Sequence, residues 1–127
     1  MTKKKISIIY ENKKIKIDAE DCNFFKKFSG LMFSRRENAE ILLFDFKEKQ
    51  KISIHSFFVF YPFIAVWLDK RNKTVDLKIV NPFTFCVSPK KSCFKLIEIP
   101  INNKNRKIVN FFHITRRGLE TFKYPRR

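Results

Sequence analysis

The stretch KISIHSFFVFYPFIAVWLDKRNKTVDLKIV, residues 51–80, decides the fold. Residues 52–61 become apolar on both faces in their second half, as a covered central strand would be. Pro62 then interrupts the run and implies a bulge or a corner, because proline donates nothing to a sheet ladder. Residues 63–69 and 74–80 read as a hairpin across Lys70-Arg71-Asn72-Lys73. Val75, Leu77 and Ile79 in its second arm alternate with Asp76 and Lys78. The stretch holds almost no group that could do chemistry.

Working outward, residues 6–10 and 14–18 flank Glu11-Asn12-Lys13 and predict an opening hairpin, with Ile15 and Ile17 alternating against lysines. A short helix is expected over 20–28. Asp18 would be its N-cap, Glu20 and Asp21 its acidic first turn, Lys26 and Lys27 its last, and Gly30 its left-handed terminator. Arg35 to Asn38 make a polar turn before a strand at 39–46. Downstream, 81–92 is a loop holding Pro82 and Pro89, 93–99 a strand, and 102–105 a turn; 107–114 is the expected last strand. About eight strands, one helix and short connections predict a mainly β (α+β) fold, a partly closed antiparallel barrel-like domain. Residues 1–115 form the domain and 116–127 a basic tail.

Composition narrows the function classes. At 127 residues with 16 Phe, the chain has ample core material for one domain. Its two glycines, Gly30 and Gly118, assemble no phosphate loop or dinucleotide fingerprint. No segment approaches the roughly 18 apolar residues of a membrane span, and the apolar run at 6–9 is too short for a signal-peptide core. A soluble, cytoplasmic protein with no membrane partner is expected. Cys22, Cys86 and Cys93 show no C-x-x-C spacing, so they read as small buried residues rather than a metal or disulfide framework.

The formal net charge is +16. Residues 1–16 hold six Lys and one Glu (+5), residues 104–127 hold eight Lys or Arg and one Glu (+7), and the 87 residues between carry the remaining +4. The excess therefore falls on the two ends, in a chain whose Lys, Ile, Asn and Phe richness also suits an AT-rich genome. Non-specific nucleic-acid binding through Lys104, Arg106, Lys107, Arg116, Arg117, Arg126 and Arg127 is one reading of that excess.

Candidate site residues are few. His55 shares its strand face with Ser53, Phe57, Val59 and Tyr61, with no acid in reach along the strand. No spacing recommends a Cys–His nucleophile pair, and Asp69 and Asp76 bracket a turn, so no catalytic residue, metal or cofactor is assigned. An enzyme of unidentified chemistry would need an acid or second histidine converging on His55. Phe58-Val59-Phe60-Tyr61 overlaps the end of an RNA-recognition signature but lacks its glycine and basic residue. The favoured reading is a small binding module. Its pocket would be edged by Arg35, Arg36, His55 and Trp67 and take a small anionic ligand, with the arginines as its clamp.

Gly30-Leu31-Met32-Phe33, the strand 54–60 with Pro62 and Leu68-Asp69, and Glu98-Ile99-Pro100 occur in that order. This pattern, over roughly residues 24–112, resembles the archaeal members of the domain-of-unknown-function 192 family, uncharacterised protein family 0127. The resemblance implies a compact, mainly β domain of no established activity. The chain departs from the family pattern at Ile64, where an Asp is usual, and at Ile108-Val109-Asn110-Phe111, where a Gly-Asp pair is usual.

Overall fold

A computed structural model describes residues 2–22 and 30–112. Six strands form one sheet: β1 (Thr2–Tyr10), β2 (Lys13–Asp21), β3 (Leu42–Gln50), β4 (Phe63–Leu68), β5 (Thr74–Val80) and β6 (Cys93–Pro100). Their order is β1-β2-β3-β6-β4-β5, antiparallel except for a short parallel junction at Glu20–Leu42. The edges approach each other where Ile9 N–H donates to the Asn72 carbonyl at 3.0 Å, beside a parallel bridge from Ile9 to Lys73. The sheet is therefore a curled half-barrel, with most of the two edge strands left unpaired with each other, as the pattern of short apolar strands predicted.

Sequence dictates the local geometry directly at the first hairpin. Glu11 and Asn12 both take positive φ, 49° and 64°, the combination a two-residue turn needs to match the twist of its strands. In β4 the side-chain alternation divides the core in two. Ile64, Val66 and Leu68 face inward with Ile8, Ile17, Ile97 and Ile99; Phe63, Ala65 and Trp67 face outward with Phe44, Val80 and Leu96. Every residue of β4 is buried, so it is the covered central strand.

That places the central strand after Pro62, not before it. Residues 52–61 were expected to be a strand, yet they run irregularly over the outer face with one bridge, Ile54 to Val87. Their backbone is diverted by the Ser56 hydroxyl and by a left-handed Phe58, which end any ladder. The expected strand at 107–114 is instead helix α1 (Arg106–Phe111). Asn102 Oδ1 accepts the Asn105 N–H at 3.0 Å, closing a 3-10 turn that winds straight into the helix. Val109 and Phe112, three apart, then reach the inner core on one helical face. Glu20 and Asp21 belong to β2 rather than to a helix start, and the rest of the expected helix over 20–28 lies largely outside the described residues. Cys22 and Cys93 are buried as expected, but Cys86 is exposed; all three are free thiols.

Candidate functional site: an aromatic platform

Five large apolar side chains stand exposed among the described residues, and all are phenylalanines: Phe33, Phe58, Phe60, Phe83 and Phe85. Phe85 is 80% exposed and Phe33 70%. They come from three loops that meet beyond the start of β4 and the end of β5. Phe33 and Phe58 stack with centroids 5.0 Å apart; Phe83 meets Phe58 edge-on at 6.1 Å and Phe60 at 5.2 Å. A second group continues through the Phe57–Phe58 backbone: Phe57 meets Phe85 edge-on at 5.6 Å and His55 at 5.1 Å.

The backbone beneath this cluster is unusual. Phe33, Phe58 and Phe83 have φ of 62°, 59° and 57°. A bulky side chain in the left-handed region costs about 1–2 kcal/mol, because Cβ crowds the following carbonyl. Glycine or asparagine would adopt these φ values more cheaply. Three such residues, joined through Phe58 and turned to solvent, are not explained by stability. Backbone outliers that persist are held by their surroundings and concentrate at functional sites.

Those surroundings can be traced bond by bond. Ser56 is fully buried, and its hydroxyl donates to the Asn81 carbonyl at 2.6 Å while accepting the Thr84 N–H at 2.6 Å. Its N–H donates to Thr84, and its carbonyl accepts from Phe83 and Val59. Phe33 N–H donates to the Phe58 carbonyl at 2.8 Å, fastening the first loop to the second. Ser34 gives its hydroxyl proton to the Leu31 carbonyl, so at the 2.6 Å contact with Tyr61 the phenol is the donor. Burial pushes the Tyr61 phenol up to about 12, with the Glu98 carboxylate adding to the rise. Glu98 also packs under Gly30, whose φ is 51°; a Cβ there would lie 3.1 Å from Glu98 Oε1.

The residues expected to edge a pocket are placed differently. Trp67 is fully buried in the outer core and donates Nε1–H to the Ile52 carbonyl at 2.8 Å, so it anchors the loop instead of lining a cavity. An indole satisfied inside a dry core offers no face to a ligand. Arg36 turns away, donating Nε–H to the Ile101 carbonyl at 2.7 Å, with a buried Nη2 lacking a partner. Arg35 and His55 are both exposed. Arg35 lies two residues from Phe33, and His55 accepts the Phe57 N–H on Nδ1 at 3.1 Å while its ring lies against Phe57. The structure thus leaves two of the four at the margin of the platform. Of the cations assigned to nucleic acid, Lys104 pairs with Glu40 at 3.2 Å, Arg106 donates to Asn103 Oδ1 at 2.7 Å and Lys107 is exposed. Arg116, Arg117, Arg126 and Arg127 lie outside the described residues. Among the described residues no group of three His, Cys, Asp or Glu side chains could hold a metal ion, and no helix is long and apolar enough to cross a membrane.

The platform was only partly legible in sequence. Phe58-Val59-Phe60 stood out as an aromatic run, but Phe33 and Phe83 lie 25 residues to either side, and nothing local marks them as its neighbours.

The chain is 31% identical over 98 residues to a UPF0127 protein of Pyrococcus abyssi, covering 74% of this chain and 82% of that protein. It is 35% identical over 79 residues to a UPF0127 protein of Thermococcus sibiricus, a match of 61% of this chain that spans about half the length of that relative, 51%. Two solved structures share the fold. A candidate transcription regulator of Sinorhizobium meliloti has a TM-score of 0.66 at 15% identity, covering 81% of this chain and 82% of that one. A protein of unknown function from Novosphingobium aromaticivorans has a TM-score of 0.67 at 10% identity, covering 84% and 79%. No family model matches the chain.

Proposed function

Since the chain belongs to uncharacterised protein family 0127, whose members have no established function, the site itself has to supply a reading, and we propose that the protein is a small binding module for single-stranded nucleic acid. The observation that carries this reading is the set of exposed phenylalanines at positive φ, Phe33 and Phe83 each in contact with Phe58. Rings fixed in place offer apolar edges and faces on which bases stack without regard to sequence. Charge agrees in sign. The three loops, 30–41, 51–62 and 81–92, hold five cations, Arg35, Arg36, Lys51, Lys90 and Lys91, against two acids, Glu37 and Glu40, in a chain of net charge +16. Arg35 beside Phe33 and His55 beside Phe57 would meet phosphates next to the stacked bases, so the ligand of this reading is anionic like the small ligand expected from sequence but is a strand on an open surface. Stacking contributes about 1–3 kcal/mol per base, and phosphate contacts make affinity fall with salt. In the same reading residues 1–115 form one domain in the cytoplasm, with 116–127 as a basic extension that adds non-specific attraction.

Fluorescence anisotropy with random single- and double-stranded oligonucleotides at about 50 and 200 mM salt tests it. The expected result is preference for the single strand, lost at least tenfold in Phe58→Ala and Phe83→Gly. Equal binding of both forms that survives these substitutions would overturn the platform's role and leave charge alone. No binding of either form at low salt, with sedimentation on anionic lipid vesicles instead, would overturn the ligand class.

A further inference from the structure

At the opposite end of the β4–β5 hairpin the surface is concave and cationic. A cavity of about 600 Å³, within the size range of small-ligand sites, is walled by Lys49, Lys70, Arg71, Lys73 and Lys91 over a floor of Thr74, Val75 and Phe94. A second cavity of about 310 Å³ shares Lys70 and Phe94 with it and adds Lys47 and Lys95, with Asp45 as its acid. The cations arrive from three segments: the end of β3, the β4–β5 turn and the start of β6 with its preceding loop. Among the described residues no carboxylate lies within ion-pair distance of Lys49, Lys70, Arg71, Lys73 or Lys91. The acid at the cavity wall, Asp69, is engaged in the turn: its Oδ1 accepts the Arg71 and Lys73 N–H groups at 2.8 and 2.9 Å.

The walls are also set in place. Asn72 takes φ of 67° and accepts the Lys95 ammonium on Oδ1 at 2.6 Å, fixing the turn that presents Lys70, Arg71 and Lys73. Across the cavity, the β3–β6 register slips between Asp45 and Gln50 in a bulge where Lys47 has φ of 59° and Asp45 Oδ1 accepts its N–H at 3.0 Å. A bulge re-aims side chains that a regular strand would send to alternate faces.

We propose that this cleft is a second binding site, for a linear oligophosphate. Like charges gathered in a concavity raise the local concentration of anions, and the repulsion among them is relieved only by a ligand of several negative charges. Arg71 offers the bidentate fork and the lysines the point charges that phosphate oxygens take. Cations converging on one cavity suit a compact chain of phosphates better than a diester backbone, which needs its cations strung along a track. The same chemistry could come from a free polyphosphate or from the phosphate tail of a nucleotide.

Calorimetric titration of the full chain separates these sources and keeps the cleft distinct from the platform. Inorganic tripolyphosphate should bind saturably, at least tenfold more weakly to K70Q/R71Q/K73Q and unchanged to Phe83→Gly. These three residues sit on an exposed turn, so the variant's thermal unfolding should match the wild type and show that it folds. A nucleoside triphosphate binding no tighter than tripolyphosphate would assign the site to the phosphate chain alone; tighter binding would support it as a nucleotide-tail site. Equal affinity of wild type and triple variant for tripolyphosphate would overturn the proposal, as would binding no stronger than that of monovalent chloride. Oligonucleotide preference lost in Phe83→Gly alone, with tripolyphosphate binding intact, would leave both sites standing.

Discussion

The β4–β5 hairpin ends in two surfaces of opposite character built by one method. Beyond Phe63 and Val80 stand exposed phenyl rings; beyond Leu68 and Thr74 stand unpaired cations. At each end a polar side chain fixes the loops: the Ser56 hydroxyl ties its loop to Asn81 and Thr84, far along the chain, and the Asp69 carboxylate accepts two N–H groups of its own turn. At each end residues sit at positive φ, Phe33, Phe58 and Phe83 against Lys47 and Asn72. With Glu11 and Asn12 in the first hairpin, these account for every non-glycine residue at positive φ among the described residues. At the aromatic end the strained residues are the displayed ones, whereas at the cationic end Asn72, which takes a left-handed φ cheaply, fixes the turn that displays its neighbours. Strain at Phe33, Phe58 and Phe83 accompanies rings displayed to solvent where burial would have been cheaper.

The scaffold the two ends share should be the most sensitive. Trp67→Ala is expected to cost about 3–5 kcal/mol by cavity formation and loss of the tie to Ile52, read as a lowered urea midpoint. Both surfaces should deteriorate together; binding preserved at either one would separate it from the outer core. Next in size is a pH effect confined to the aromatic end. The unfolded Tyr61 phenol ionises near 10 and the folded one near 12, so its contribution is complete below pH 10 and falls as pH rises from 10 to 12. Two units correspond to about 2–3 kcal/mol. Tyr61→Phe should flatten that part of the stability–pH curve relative to wild type, and spectrophotometric titration should lose one late-ionising phenol.

Ser56→Ala should cost about 1–2 kcal/mol, since it removes both bonds of a fully buried hydroxyl and leaves the part-buried Thr84 N–H without its acceptor, while the Asn81 carbonyl keeps the Thr84 hydroxyl as donor. It should weaken oligonucleotide binding and leave tripolyphosphate binding alone; a loss at both ends would mean that the Ile54–Val87 loop pair transmits the change. The smallest stability effect is expected from Phe83→Gly. Relief of the left-handed strain, about 1–2 kcal/mol, is offset by two lost aromatic contacts of about 0.5–1.5 kcal/mol each, so thermal unfolding should move little while binding falls. A large destabilisation would show that the ring serves the fold.

How far sequence reached can be followed residue by residue. The hairpins were legible because alternation and turn residues are local: Glu11-Asn12 and the Lys70–Lys73 turn needed no knowledge of the rest. The half-barrel followed from many short apolar strands with only one short helix expected to cover them. Gly30 was expected to be left-handed and is, at 51°. Misreadings came where a side chain overrode a pattern. Ile108-Val109-Asn110-Phe111 suits strand and helix alike, and the Asn102 cap decided for the helix. The run 52–61 has a strand's composition, but the buried Ser56 hydroxyl competes with ladder bonds and wins.

The charge shows the same division. Counted along the chain, the middle 87 residues carry only +4 of the +16, and the excess falls on the ends. In space, the near-balance dissolves, because Lys49, Lys70, Arg71, Lys73 and Lys91 converge on one cavity with Asp69 as the acid in its wall. By itself, then, the sequence determined the β class, the turns, the central hairpin and the family, all properties of neighbouring residues or of a short ordered pattern. Only tertiary structure decided that Trp67 is core, that Phe33, Phe58 and Phe83 are one surface and that five scattered cations are another. Juxtaposition depends on where loops cross, and hydrogen bonds between residues far apart in the chain set those crossings.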